Sequence, residues 1–393
     1  MSDEKHPLHI RIAELERELA VLHKVLDLMP TYLYVIDEEG RYRMANKAAL
    51  DALGQSRDSI LKVKFHEVAA DPAQGAQLLE LARETMRAGD PKISPRVDFQ
   101  PHNGPPQVLQ LHEVPFVDEA SGRRWLLGIS MDLTAEVQLE QVRIAQARVE
   151  QELEIAREIQ QSLFPKEPPA VPGFDVAGWS RPAEETGGDF YDWFEAPHGT
   201  TYAMIGDVTG HGVGPAIIAA TTRAYIRATF TEPLPLHELI GRLNDQLVGE
   251  LPGGMFVTLA VAALSRDPSD PIETIAAGQG PIFGRDGTNG KAEEIHAHGP
   301  PLGVLRGTGY READRCEVDP DSLLVLLSDG FFEHRNRDGA MFGHEHVVER
   351  VTAHRGSAAA LIEDLRAAVA DFADGATQDD DMTAVIVRTS ARA

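Results

Sequence analysis

The chain is short of cysteine, of aromatic residues and of basic side chains, and each shortage removes a class of explanation. One cysteine, Cys316, among 393 residues leaves no internal disulfide and fits a reducing compartment. Lys and Arg number 37 against 62 Asp and Glu, a formal net charge of -25. Such an excess of acid repels phosphodiester backbones and anionic lipid, which argues against nucleic acid or a membrane surface as a main partner. Long apolar runs are also lacking. None reaches the roughly 18 residues needed to span a bilayer, and the longest, Met255 to Leu264, is broken by Thr258 and reads as a buried strand. The opening residues, Met1 to Pro7, lack a basic region followed by an apolar core, so no signal peptide and a cytoplasmic location are expected. What remains is ordinary globular composition, 42% hydrophobic and 25% charged, with length for two or three domains at about 150 residues each.

Along the chain the hydrophobic period changes several times. Leu8, Ile12, Leu15, Leu19, Leu22, Leu26 and Met29 alternate spacings of four and three, a heptad seam that ends at Pro30. A coiled coil and an amphipathic helix lying on the next domain both satisfy it. From Tyr32 the pattern shortens to strands at 32–36 and 41–45, a helix at 47–53 capped by Asn46 and closed by Gly54, and strands at 95–100, 107–114 and 125–131. Thr134 to Leu163 reads as a second long helix, with Leu139, Val142, Val149, Leu153, Ala156 and Leu163 on one seam and Gln146 and Gln160 interrupting it. Such a helix suits a transmitter of conformational change, or a rigid spacer. Four prolines between Phe164 and Gly173 then mark a domain boundary.

The stretches "LDLMPTYLYVIDEEGRYRMANKAALDALG" and "RRWLLGISMDLTAEVQLE" resemble a PAS sensor domain, over residues 24 to 135. The resemblance implies a five-stranded antiparallel sheet that holds a small ligand or serves only as a dimer contact. Without a cysteine in this stretch, a flavin–cysteinyl adduct is excluded; His66, His102 and His112 are the residues able to ligate haem.

The second half alternates buried strands (174–180, 201–207, 256–264, 323–327, 383–388) with helices (215–227, 235–247, 344–354, 357–372). Its informative residues are aspartates at strand ends. Asp207 closes one strand, Asp329 another, Asp379-Asp380-Asp381 opens a third, and Asp189 follows Gly187-Gly188. Strands of one sheet share an edge, so such acids can converge. Several carboxylates buried together demand cations. Oxygen-only donors select Mg2+ or Mn2+ over zinc, and four carboxylates suffice for a pair of such ions around a water able to attack a phosphoryl group. Gly210-His211-Gly212-Val213-Gly214 has GxGxG rather than GxGxxG spacing and reads as a tight turn beside that site, not a dinucleotide loop.

The ordered set "EIAREIQQSLFP", "RPAEETGGDFYDWF", "IGDVTGHGVGPAIIAA", "MFVTLAVAAL", "GPPLGV", "LLVLLSDGFFEHRNRDGAMFG" and "DDDMTAVIVR" resembles the PPM family of metal-dependent type 2C serine/threonine phosphatases, in its bacterial SpoIIE-like branch. The resemblance implies an α+β architecture, with an α/β/β/α sandwich following the PAS domain and helical linker. It implies that Asp207 bridges two Mn2+ or Mg2+ ions, that Asp189 and the Val208 carbonyl hold one, and that Asp329 and Asp380 hold the other. Asp381 is then a neighbour and Asp379 the fallback ligand. His211 is a candidate proton donor or a structural hydrogen bonder, and Arg181 a candidate phosphate ligand. Gln279 replaces the histidine usual in relatives. The implied substrate is a phosphorylated STAS-type anti-anti-sigma factor. A homodimer through residues 8–29 and 139–163 is expected. The domain limits expected are 1–29 for the leading helix, 30–135, a linker at 136–165, and 166–393. A catalytically silent scaffold that signals by binding is the alternative reading.

Overall fold

The computed structural model describes residues 5–102 and 104–390. Residues 1–4 of the leading segment, the side chain of Leu8 and residues 391–393 lie outside the described set. The chain divides into two compact units, residues 1–148 and 149–393.

In the first unit, α1 (Lys5–Leu28) leads into β1 (Tyr32–Asp37), β2 (Tyr42–Ala45), α2 (Lys47–Leu53), α3 (Arg57–Ile60), a 3-10 turn at Phe65–Glu67, α4 (Pro72–Ala88), β3 (Lys92–Phe99), β4 (Gln107–Val117) and β5 (Arg124–Asp132). The strands form one antiparallel sheet in the order β2-β1-β5-β4-β3. The expected strands are all present; α3 and α4 were not foreseen. α4 declares itself by the Asp71 N-cap, Pro72 at its first position and Gly89 in the left-handed conformation at its end.

Asn46 is the joint between α1 and the sheet. It is buried, its Oδ1 accepts from Leu33 N (3.0 Å) and Ala49 N (3.1 Å), and its Nδ2 donates to Leu26 O (3.0 Å) and Thr31 O (2.9 Å). Truncation would orphan donors and acceptors on three elements. Asn46→Ala is expected to lower the stability of this unit by about 2–4 kcal/mol, read as a lower denaturation midpoint.

The sheet and helices enclose an apolar cavity of about 50 Å3, lined by Tyr34, Phe65, Leu109 and Ser130 among others. His66, His102 and His112 do not line it. A ligand pocket is on the order of 300–1,000 Å3, so this cavity as it stands has no room for haem. The seam of α1 beyond the joint, Ile12, Leu15, Leu19 and Leu22, is exposed.

α5 (Thr134–Leu163) runs through the division at 148/149 and has no fully buried residue. In the second unit follow β6 (Phe174–Arg181), β7 (Phe190–Glu195), β8 (Thr201–Val208), α6 (Val213–Thr229), α7 (Leu236–Leu247), β9 (Val257–Leu264), β10 (Ile272–Ala277), β11 (Ile282–Arg285), β12 (Ala292–Ile295), β13 (Asp314–Cys316), β14 (Leu323–Leu327), α8 (Asp329–Phe332), α9 (Gly343–Ala353), α10 (Ala358–Ala373) and β15 (Met382–Thr389). Two five-stranded sheets result, ordered β13-β10-β9-β8-β7 and β12-β11-β14-β15-β6.

The sheets pack face to face and each carries helices outside. Ile205, Ala260, Leu324, Leu326, Val385 and Val387 fill the space between them. Their strand neighbours point outward, Met204 and Val261 against α6 and α7, and Val325 and Ile386 against α9 and α10. Both faces of the central strands are buried, so these strands read as continuous apolar runs. The result is a four-layer α/β/β/α sandwich.

Candidate active site

The acids do not come from one sheet edge, as the strand argument supposed. Asp207 ends β8 in one sheet, while Asp329 follows β14 and Asp380 precedes β15 in the other. It is the stacking of the two sheets that brings them to a common rim.

Two glycines let the backbone close in. A Cβ at Gly187 would run into the Asp381 carboxylate, and one at Gly188 into the Val208 carbonyl oxygen. Any larger residue would push the Asp189 loop off the rim. Val208 N donates to Gly188 O at 3.3 Å, fixing the same approach. Gly210 and Gly212 take positive φ, 94° and 87°, where the chain turns from β8 into α6.

The acids raise one another's proton affinity. Asp189 is buried, and burial followed by the charges of Asp207 and Asp381 pushes its carboxyl well above the usual range. Its Oδ2 has no hydrogen-bond partner. Burial, then Asp329, Asp380 and Asp381, push Asp207 up to about 7. Burial, then Asp380 and Glu333, push Asp329 up to about 6. Asp380 is raised by desolvation first and Asp381 among its neighbours. Among the described residues no three His, Cys, Asp or Glu side chains form a ready-made metal cage. The donor set nonetheless fits a hard divalent ion: it is all oxygen, mutually repulsive, and includes a buried carboxylate oxygen that nothing else satisfies.

Asp381 has a different task. Its Oδ1 accepts from Ala183 N (2.8 Å) and its Oδ2 from Asp189 N (3.2 Å), so it pins the Asp189 loop to β15. Gln279 is buried and braces the two sheets: it accepts from Thr258 Oγ1, and its Nε2 donates to Leu327 O at 3.1 Å, two residues before Asp329. Thr258 is the strand partner of Asp207. His211 is exposed, with Nδ1 3.0 Å from Glu184 Oε2. Arg181 lies at the end of β6, tied by its carbonyl to Gln378 Nε2 at 3.0 Å; the same nitrogen donates to Asp380 O at 2.8 Å.

Sequence reasoning missed three supports. Gln160, an apparent flaw in the α5 seam, donates from Nε2 to Gly187 O (2.7 Å) and accepts from Gly187 N at Oε1 (3.2 Å). Ser328 Oγ accepts from Thr383 N at 2.8 Å and donates to Asp381 O at 3.1 Å, joining the two acid-bearing segments. Asp192, fully buried on β7, anchors α6 by accepting from Arg227 Nε (2.7 Å) and Nη2 (2.8 Å), with Arg223 Nε 2.8 Å away. A glutamine breaking a seam was the signal for the first; no local pattern marked the others.

With this geometry in place, the chain can be set beside known proteins. Residues 197–390 match the family described as stage II sporulation protein E (SpoIIE), and residues 26–138 match the PAS fold. The chain thus carries one region that matches the PAS fold and, after it, one that matches the SpoIIE family. Protein IcfG of Synechocystis sp. is 25% identical over 263 residues, covering 60% of this chain and 41% of that protein. Phosphoserine phosphatase RsbU of Bacillus subtilis is 26% identical over 195 residues, covering 49% of this chain and 57% of that protein. The chain therefore spans about half the length of these curated relatives. The SiaA-PP2C domain of Pseudomonas aeruginosa superposes with a TM-score of 0.54 at 20% identity, covering 63% of this chain and 99% of that domain, which supports the fold. Among the described residues no helix is long and apolar enough to cross a membrane.

Proposed function

We propose that the chain is a divalent-metal-dependent protein serine/threonine phosphatase, acting in the cytoplasm and set by its PAS domain. The observation that carries this reading is the meeting of Asp189, Asp207, Asp329 and Asp380 at one rim, with Asp189 Oδ2 buried and unpartnered. In it, Asp207, Asp189 and the Val208 carbonyl would hold one ion, and Asp207, Asp329 and Asp380 the other. Bound there, Mn2+ or Mg2+ would supply an activated water and offset the charge that develops in phosphoryl transfer. The chain's own residues do the positioning. Asp381 and Gln160 hold the 183–189 loop in place, Gln279 braces the two sheets against each other, and Ser328 ties the end of β14 to the start of β15. In this reading His211, 3.0 Å from Glu184, would hand a proton to the departing seryl oxygen, the other role open to it being a structural hydrogen bond to Glu184.

The substrate proposed is phosphoserine or phosphothreonine on a STAS-type anti-anti-sigma factor, in a partner-switching pathway. The likeness to a protein named as a phosphoserine phosphatase supports the phosphoserine part of this reading. Dimerisation through residues 8–29 and 139–163 would cover the exposed seams, Leu15, Leu19 and Leu22 on α1 and Leu139, Val142 and Val149 on α5. A change in α5 would then reach the site through Gln160 and Gly187. Gln160→Ala is expected to weaken Mn2+ binding by about 10-fold or more, as for supports behind metal ligands, measured by calorimetric titration while the melting temperature stays near that of the parent.

The test is phosphate release by the full chain from a phosphorylated STAS protein. Release that needs Mn2+ and stops with chelator is the expected result. Uptake of metal with no release, alongside tight binding of the phosphoprotein, would replace the enzyme by a scaffold.

A further inference from the structure

Beside the acid rim a second cleft, of about 430 Å3, opens between the end of β6 and α10. Trp179, Arg181, His334, Arg366 and Gln378 line it, with Met382 among the apolar residues. Asp189, Asp207, Asp329 and Asp380 do not line it. Its charge is unusual for this chain. The Arg181 side chain is exposed, and its guanidinium makes no hydrogen bond or ion pair among the described residues, although acids outnumber bases 62 to 37. Arg366 lies 4.1 Å over the Trp179 ring, and its Nη1 is 2.6 Å from Glu363, which also faces the cleft. That carboxylate is already claimed by Arg366, which leaves Arg181 as the open cation.

The cleft adjoins the rim by covalent and hydrogen-bonded connection. Arg181 is the strand partner of Met382, two residues beyond Asp380, and Gln378 Nε2 bonds both the Arg181 and the Asp380 carbonyls. A polypeptide crossing the rim with its phosphoserine at the acids would set residues one to three positions away over Arg181, at about 3.3 Å per extended residue.

We propose that this cleft is a substrate subsite in which Arg181 grips a carboxylate side chain of the phosphoprotein close to the phosphoserine. The proposal rests on the phosphatase reading above. It assigns Arg181 to a neighbour of the phosphoserine, not to the scissile phosphate. The chemistry favours a carboxylate because a planar guanidinium engages one through two parallel hydrogen bonds. It also has a kinetic sense: a protein with a net charge of -25 repels an acidic phosphoprotein, and a free cation at the rim offers local attraction.

The test uses the full chain with Mn2+ and three phosphoserine peptides of equal length whose flanking residues are glutamate, alanine or lysine. The expected result is a kcat/KM about tenfold higher for the glutamate peptide than for the alanine peptide, the size of one charge-assisted contact. Arg181→Ala should bring the two together, and Arg181→Glu should reverse the order in favour of lysine. Arg181 is exposed, and the thermal midpoint of each variant checks that its fold is kept. Equal rates for all three peptides in the parent, or an equal loss on all three in Arg181→Glu, would overturn the subsite; the latter would put Arg181 on the phosphate. Binding of the same peptides, followed by fluorescence anisotropy, separates the two readings. A glutamate preference in binding without phosphate release supports the subsite and sinks the phosphatase.

Discussion

Asp207→Asn is expected to lower Mn2+-dependent phosphate release by about 10^3-fold or more and, in the absence of metal, to raise the melting temperature. The two effects have one cause. Asp207 is largely buried among Asp329, Asp380 and Asp381, and its raised proton affinity records how unwelcome its negative charge is there. An asparagine of nearly the same shape removes one repulsive charge from that group, so the metal-free fold gains. It also removes the proposed bridging ligand, and losses of about 10^2- to 10^3-fold follow even from deleting a single electrostatic stabiliser of a transition state. Added Mn2+ stabilises the parent by mass action on the folded state and should do so far less for the variant. Phosphate release and thermal melts, each with and without Mn2+, measure both arms. A variant that keeps parental activity, or that melts lower than the parent without metal, contradicts the assignment.

The second large effect lies away from the rim. Asp192→Ala is expected to destabilise the second unit by about 2–4 kcal/mol, the cost of removing a buried carboxylate that holds two arginines, one of them partly exposed to water. Asp192 is fully buried on β7 and receives Arg223 and Arg227 from α6. Its hydrogen bonds, then its charge, hold the Arg227 guanidinium protonated against desolvation. Without the carboxylate, both guanidinium groups lose their counter-charge, and Arg227 keeps its bond to the Trp193 carbonyl (3.3 Å) and its stack on Phe194 at 4.9 Å. Because α6 begins directly after the Gly210–Gly212 turn, loosening it also loosens the segment that carries Asp207 and Val208. A melting temperature lower by about 10 °C is the expected readout for a unit of this size, with Mn2+ affinity falling alongside. Asp192→Asn, which keeps two acceptor positions at one oxygen and places a donor at the other, should fall between the parent and the alanine variant.

Much of the molecule is legible in its residues taken in order. Asn46 and Gly54 bracket α2 as capping chemistry requires, and the polar periodicity of α5 ends where Phe164 and the prolines end it. The apolar runs at 201–208, 257–264 and 323–327 are strands because their length and branching suit no helix. The acids at their ends are visible too, since a carboxylate beside an apolar run is conspicuous in one dimension. Short or mixed strands such as β11 to β13 escaped, because three or four residues carry no period.

The sequence by itself determined the long helices and which acids stand beside apolar strands, because those follow from local periodicity, capping and composition, while the two kinds of domain came from the resemblance of its motifs to known families. Only the tertiary structure decided that Asp207 and Asp189 meet Asp329 and Asp380 from opposite sheets, that Asp381 serves the loop, and that Gln160 serves Gly187 and not a helical seam. Those assignments depend on which strand pairs with which and on how two sheets stack. Both are settled by pairing strands and packing faces that lie as much as about 200 residues apart, such as β6 paired beside β15, and no local pattern encodes that partner choice.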